Sequence, residues 1–324
     1  MKSPILLAYA FPGDGTGREL DQHQVNETVR SEDMLSWVHL DANEPSCADW
    51  LQTNVSYLDP LIIEALLEDE TRPRMIQFNQ GVLIILRGVN LNEDANAEDM
   101  ISIRLWVDNS RIISIRRRRL KAINDIQMNI NNGSAPNTSG DFVTMLITLL
   151  FDRMNPALVA LNDATDEIEE LILETADAKL RQSITEVRKK AILFKRYMAP
   201  QRDAINQIRH ANIDWINESH KLQLLEAHNQ VVRYIEDLDA IRERAQIIMD
   251  ELANIIAEKL NRNMYVLSVI AAIFLPLGFL TGLLGINVGG IPGAENEYAF
   301  LIFSALLLVI VVVQIILFKL KKWF

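Results

Sequence analysis

The chain has 324 residues, 49% of them apolar and 23% charged, with a formal net charge of −11 and a pI near 5.0. That balance excludes the basic faces that nucleic-acid binding requires and is compatible with accumulation of cations in the summed field of the protein. The single cysteine, Cys47, excludes an internal disulfide and a thiolate metal cluster, and fits a reducing compartment.

The first apolar run, residues 5–11, is too short for a secretory signal and ends in Pro-Gly, so residues 1 to 260 are expected to stay on the side where they are made. It reads instead as a strand, joined by further Val-, Ile-, Trp- and Phe-rich runs at 37–41, 74–79, 82–89, 101–107 and 111–116. "GDGTG" (13–17) lacks the Lys-Ser/Thr of a phosphate loop and reads as a turn. Residues 79–81 and 108–110 are expected hairpin turns, and 59–70 a helix with Asp59 as N-cap and Pro60 at its first position. Four arginines, 116–119, close the last strand. They read as a solvated strand end or as an electrostatic element near a membrane or cation path. The only linker-like stretch, 129–141, is expected to separate an α+β cytoplasmic domain (1–140) from a region of long helices (141–262).

Residues 142–177 form one predicted helix with a strongly acidic charged side, and 178–198 a second, with Pro200 as a break or kink. Val231, Leu238, Ala245 and Leu252 then repeat every seven residues, with Tyr234, Ile241, Ile248 and Ile255 three places after each. No Gly or Pro occurs between Pro200 and Pro276, so a helix can run from about 217 to 284, roughly 100 Å at 1.5 Å per residue. Such a rod reads as a stalk that leaves a soluble domain and enters a bilayer, and its heptads as a device for self-assembly.

Residues 264–284 and 299–318 carry no charge, and each is close to the roughly 20 residues that span a bilayer. Lys259 and Arg262 precede the first run, Lys319, Lys321 and Lys322 follow the second, and the connecting residues 285–298 carry no Lys or Arg. Both ends are therefore expected in the cytoplasm and the loop outside. On the first span Asn261, Met264, Leu267, Ala271, Leu275 and Gly278 fall on one stripe, with Thr281, Gly282 and Gly285 extending its small or polar character. The stripe is either a helix-packing seam or a pore wall that narrows at an apolar inner end. Two helices cannot enclose a pore, so a pore needs several copies around an axis. Motifs for catalysis (P-loop, HExxH, CxxC, GxSxG) are missing, and the five histidines form no i, i+4 pair, so neither an enzyme nor a resident cofactor is expected.

"GLLGINVGGIPG", in which Gly285-Ile286-Asn287 closes the first span, resembles the signature of the CorA superfamily of divalent-cation transporters, where the middle residue is usually Met. With "FDRMNPALVALNDATDEIEE", "APQRDAI" and "YIEDLDAIRERAQII", it is similar to the zinc-transporting ZntB branch over nearly the whole chain. The resemblance implies a funnel-shaped homopentamer in the bacterial inner membrane. The first span (264–284) would line the pore, residues 285–298 would form the external loop, and the second span (299–318) an outer ring. It also implies Gly285, Ile286 and Asn287 at the outer entrance and Asn261, Met264, Leu267, Leu275 and Gly278 along the bore. Glu295 and Glu297 would attract cations at the mouth. Zinc is the expected cargo, with proton coupling as in the branch, although neither span carries Asp, Glu or His. A magnesium, cobalt or nickel channel on the same scaffold and a membrane-anchored metal sensor stay open as alternatives.

Overall fold

The computed structural model describes residues 3–31, 33–174, 178–286, 291, 293 and 296–320. They form two compact units, Met1–Asp250 and Glu251–Phe324. The first is built on a seven-stranded sheet: β1 (Ile5–Phe11), β2 (Arg18–Glu19), β3 (Leu35–Asp41), β4 (Arg74–Phe78), β5 (Gly81–Gly88), β6 (Ile101–Val107) and β7 (Arg111–Arg116). Their spatial order is β2-β1-β3-β7-β6-β5-β4, and every pairing is antiparallel except β3 with β7. The period of two sorts side chains to the two faces. Ala8 and Ala10 of β1 join one core with Val25 and Val29 of α1 (Gln22–Arg30), Cys47 and Leu51 of α2 (Ser46–Asn54) and Ile62 and Leu66 of α3 (Pro60–Leu67). Tyr9 turns the other way, stacking on Trp37, which meets Phe142 of α5 (Ser139–Glu174) at 5.0 Å between ring centres. Gln127 of α4 (Lys121–Asn131) bonds the Tyr9 hydroxyl at 3.1 Å on that same side.

Local signals set several helix starts. Asp59 accepts from Leu61 N, and Pro60 opens α3 as expected. Asp21 and Gln24 form a reciprocal capping box at α1, a helix the strand-rich reading of this region passed over. The residues between α4 and α5 are an ordered connection rather than a linker. Asn137 and Thr138 donate their backbone N–H to Asp141 Oδ2, Gly15 N donates to Asn137 Oδ1, and α4 and α5 absorb both ends of the 129–141 stretch.

Pro200 does not break its helix: α6 (Ala178–His210) runs through it. A proline removes one rung, and tertiary contacts hold the rest. Met198, Gln201 and Ala204 are buried, and Gln201 Oε1 accepts from Arg87 N at 2.7 Å, docking the helix on β5. The heptad seam of α7 (Glu218–Leu284) is also spent inside the chain. From Val231 to Ile248 its a and d positions are all buried, with Tyr234 edge-on to Phe151. Lys195 pairs with Asp239 at 2.6 Å, and Arg244 with Asp166 at 2.5 Å and with Glu169. The self-assembly role read into these heptads is therefore corrected: their apolar edge faces α5 and α6 of its own subunit.

In the second unit, α7 continues to Leu284 and α8 runs over Ala299–Leu320. Asn296 starts α8, its Oδ1 accepting from Tyr298 N. Among the described residues three helices are long and apolar enough to cross a membrane, with apolar windows 50% buried in α5, 6% in α7 and 0% in α8. The apolar residues of α5 are core residues of the first unit: Phe142, Val143, Leu146, Ile147, Leu150 and Phe151 are almost fully buried. Those of α7 beyond residue 264 and of α8 have no such core.

Candidate functional site

The apolar end of α7 has two different faces. Toward α8 lie Val269, which is buried, and Ala272, Ile273, Leu277 and Leu280, which are partly so. At 100° per residue the centre of the stripe is nearly half a turn away. There Met264, Leu267 and Leu275 are 65%, 67% and 70% exposed, Asn261 and Gly278 are exposed, and Ala271 is half-buried. A Cβ added at Gly278 or Gly282 would meet nothing within 4 Å. The stripe is thus not the seam of its own hairpin. Thr281 stands about a quarter turn aside, its hydroxyl donating back to Leu277 O at 2.9 Å and Gly278 O at 3.1 Å.

At the C-terminal end of α7 Gly285 N donates to Thr281 O at 2.9 Å and closes the helix. A Cβ on Gly285 would lie 2.7 Å from that same carbonyl, so the closure requires glycine. Ile286 follows, exposed. Asn287, the glycines at 289 and 290, and Glu295 lie outside the described residues, and Glu297 is exposed.

Among the described residues no group of three or more His, Cys, Asp or Glu is placed to hold a metal ion. His220 takes its own N-terminal backbone into account: Nδ1 accepts from Asn217 N at 3.2 Å, which leaves Nε2–H to donate to Asp141 Oδ1 at 2.9 Å. Burial would raise the Asp141 carboxyl, but hydrogen bonds from His220 and Thr138 outweigh it and hold it below its ordinary value. This latch joins the start of α7 to the start of α5. Gly140 permits the approach, since a Cβ there would overlap the His220 ring and lie 2.5 Å from Trp215 O. The arginine run is divided: Arg117 bonds Leu67 O and pairs with Asp69 at 2.7 Å, whereas Arg118 and Arg119 are exposed. "GDGTG" is a turn, with Gly13 and Gly15 at φ 88° and 80°.

One polar contact inside the hairpin was not anticipated. Gln314 of α8 donates Nε2 to Ala272 O at 3.3 Å. Its signals were a lone amide in the second apolar run and a lone proline, Pro276, in the first.

The comparisons agree with this arrangement over its whole length. Residues 32–322 match the family profile described as "CorA-like Mg2+ transporter protein". The chain is 34% identical over 321 residues to the divalent cation transporter CmaX of Pseudomonas aeruginosa, covering 98% of this chain and 96% of that one. It is 32% identical to the zinc transport protein ZntB of Yersinia enterocolitica, covering 99% and 96%. The solved structure of full-length CmaX superposes with a TM-score of 0.86 at 33% identity, over 100% of this chain and 99% of that one.

Proposed function

The chain belongs to the CorA-like family of divalent cation transporters, and on that premise we propose that it carries zinc across the bacterial inner membrane through the central pore of a homopentamer. The observation that carries the pore reading is the direction of the stripe. Met264, Leu267, Leu275 and Gly278 face away from α8 and are exposed on the single chain, a face open to another copy, a conduction path or lipid, and its small residues toward Gly278 favour the conduction path. Five such faces around an axis would give a bore that is apolar at Met264, Leu267 and Leu275 and wide at Gly278, and an apolar constriction gates by dewetting. Asn261 and Ala271 complete the lining, with Thr281 near its outer end.

At the mouth, Gly285, Ile286 and Asn287 form the selectivity element. A ring of neutral amides from Asn287 meets the water shell of a hydrated cation without holding it too tightly. Glu295 and Glu297 raise the local cation concentration there, and the net charge of −11 does so on the inner side. In this reading residues 1–140 and 141–262 are cytoplasmic and 263–324 is the membrane hairpin. Zinc is favoured by the likeness to ZntB. Proton coupling by a carboxylate or imidazole would have to use groups outside 264–284 and 299–318, which carry no Asp, Glu or His.

A second reading is a magnesium, cobalt or nickel channel on the same scaffold, favoured by the profile's description and by the relative described only as carrying divalent cations. Flux into proteoliposomes, measured for each metal in turn, separates the two. Asn287→Gly then tests the filter. Glycine serves a helix C-terminus as well as asparagine does, so a mere capping role predicts unchanged flux. The filter role predicts a loss of at least about tenfold with oligomeric size preserved, because all amides of the ring go at once. Normal zinc flux by an assembled Asn287→Gly protein overturns the filter.

A further inference from the structure

Pro276 takes a rung out of α7. Its ring nitrogen has no hydrogen to donate, so the carbonyl four residues earlier, Ala272 O, loses its helical partner. In hydrocarbon no water can take that place, and a neighbouring helix must supply the donor. Gln314 of α8 does so, with Nε2 at 3.3 Å from Ala272 O. Between Phe300 and Phe318 the polar side chains are Ser304 and Gln314. The Ser304 hydroxyl is spent within its own helix, on Phe300 O at 2.8 Å. Thus the one amide of α8 meets the one carbonyl that Pro276 frees. Its Oε1 is buried and has no partner among the described residues, so the contact to Ala272 is the bond that orients the side chain.

Ala272 lies on the α8 side of the helix, level along its axis with the middle of the stripe, so that Leu267 and Ala271 come before the break and Leu275 and Gly278 after it. A helix missing a rung can bend at that point, and a bond from outside selects one course among several. We propose that Gln314 is a positioning residue for transport: by holding Ala272 O, it sets the relative course of the two halves of the stripe across Pro276. The proposal rests on the pore reading above, in which that stripe faces the ions.

A double-mutant cycle on the full-length protein tests it, with two readouts: thermal unfolding in detergent and zinc flux in proteoliposomes. Gln314→Leu keeps the volume and removes the donor. It should lower the unfolding temperature by about 2–4 °C and lower the maximal flux by about threefold to tenfold, the range that interhelical hydrogen bonds span. The half-saturating zinc concentration should stay within about twofold, since the mouth is untouched. Pro276→Ala returns an N–H to Ala272 O, so in that background Gln314→Leu should change neither readout. Gln314→Met replaces Gln314→Leu if the latter does not assemble. Additive effects in both readouts overturn the proposal. A non-additive unfolding cycle with unchanged flux also overturns it, because the bond would then serve stability alone. Wild-type protein that passes no divalent cation overturns the transport reading and the positioning role with it, while the unfolding cycle still reports the bond.

Discussion

His39 lies in the middle of β3, fully buried, with Nδ1 2.8 Å from Ser114 Oγ, which also accepts from Trp37 Nε1 at 2.8 Å. Burial, aided by the Arg116 charge, pushes its imidazole down from 6.5 to about 3. The neutral form is therefore the one the fold holds. As pH falls from about 6.5 to about 3, the unfolded chain takes up a proton that the folded chain refuses, and stability is lost through that window. The slope is about 1.4 kcal/mol per pH unit, or about 2 kcal/mol between pH 6.5 and 5. Urea unfolding of the whole protein in detergent should show this acid slope, and His39→Gln should flatten it. Parallel slopes for the two proteins would count against the assignment. At this scale the sequence showed five scattered histidines and no metal pair, but not which were buried. The latch of His220 on Asp141 spans 79 residues and has no local signal.

Periodicity carried most of the elements. The strands over 5–11, 101–107 and 111–116 coincide with β1, β6 and β7, because alternating burial on a two-faced sheet leaves its mark on every second residue. The heptads of α7 were equally visible, but periodicity says that a helix has an apolar edge and not what covers it. Here α5 and α6 cover it. Leu238→Ala should therefore cost about 2–5 kcal/mol of stability in the first unit, as for other buried leucines, without changing the oligomeric size. Chemical unfolding and light scattering on the same sample read both. A subunit exchange or dissociation caused by Leu238→Ala would return the seam to the interface between copies. Pro200 teaches the same lesson in reverse. Its local rule predicts a stop, and the buried side chains on both sides of it carry the helix through.

For the whole molecule the sharpest test is topology. In the proposed topology, which rests on charge asymmetry, the loop 285–298 lies outside and both termini in the cytoplasm. Ala294→Cys should react with an impermeant thiol reagent added from the periplasmic side. Cys47 can stay in place: it is buried, and burial pushes its thiol up to about 11, so it remains unreactive. Labelling of the new cysteine from the cytoplasmic side alone would reverse the orientation and, with it, the assignment of Asn287 to the outer entrance.

The sequence by itself determined the α+β sheet domain, the long helices, the two uncharged runs with their basic flanks, and the family motif. Each of these depends on residues near one another in the chain, where pleat, helical pitch and charge asymmetry act directly. Only the tertiary structure decided what covers the heptad seam, that α6 survives Pro200, that the stripe faces away from α8, and that Gln314 answers the carbonyl freed by Pro276. Those outcomes depend on which distant residue supplies a missing partner. A carbonyl without a donor in hydrocarbon has to be satisfied somewhere, but pitch and composition do not say from which turn of which helix the donor will come.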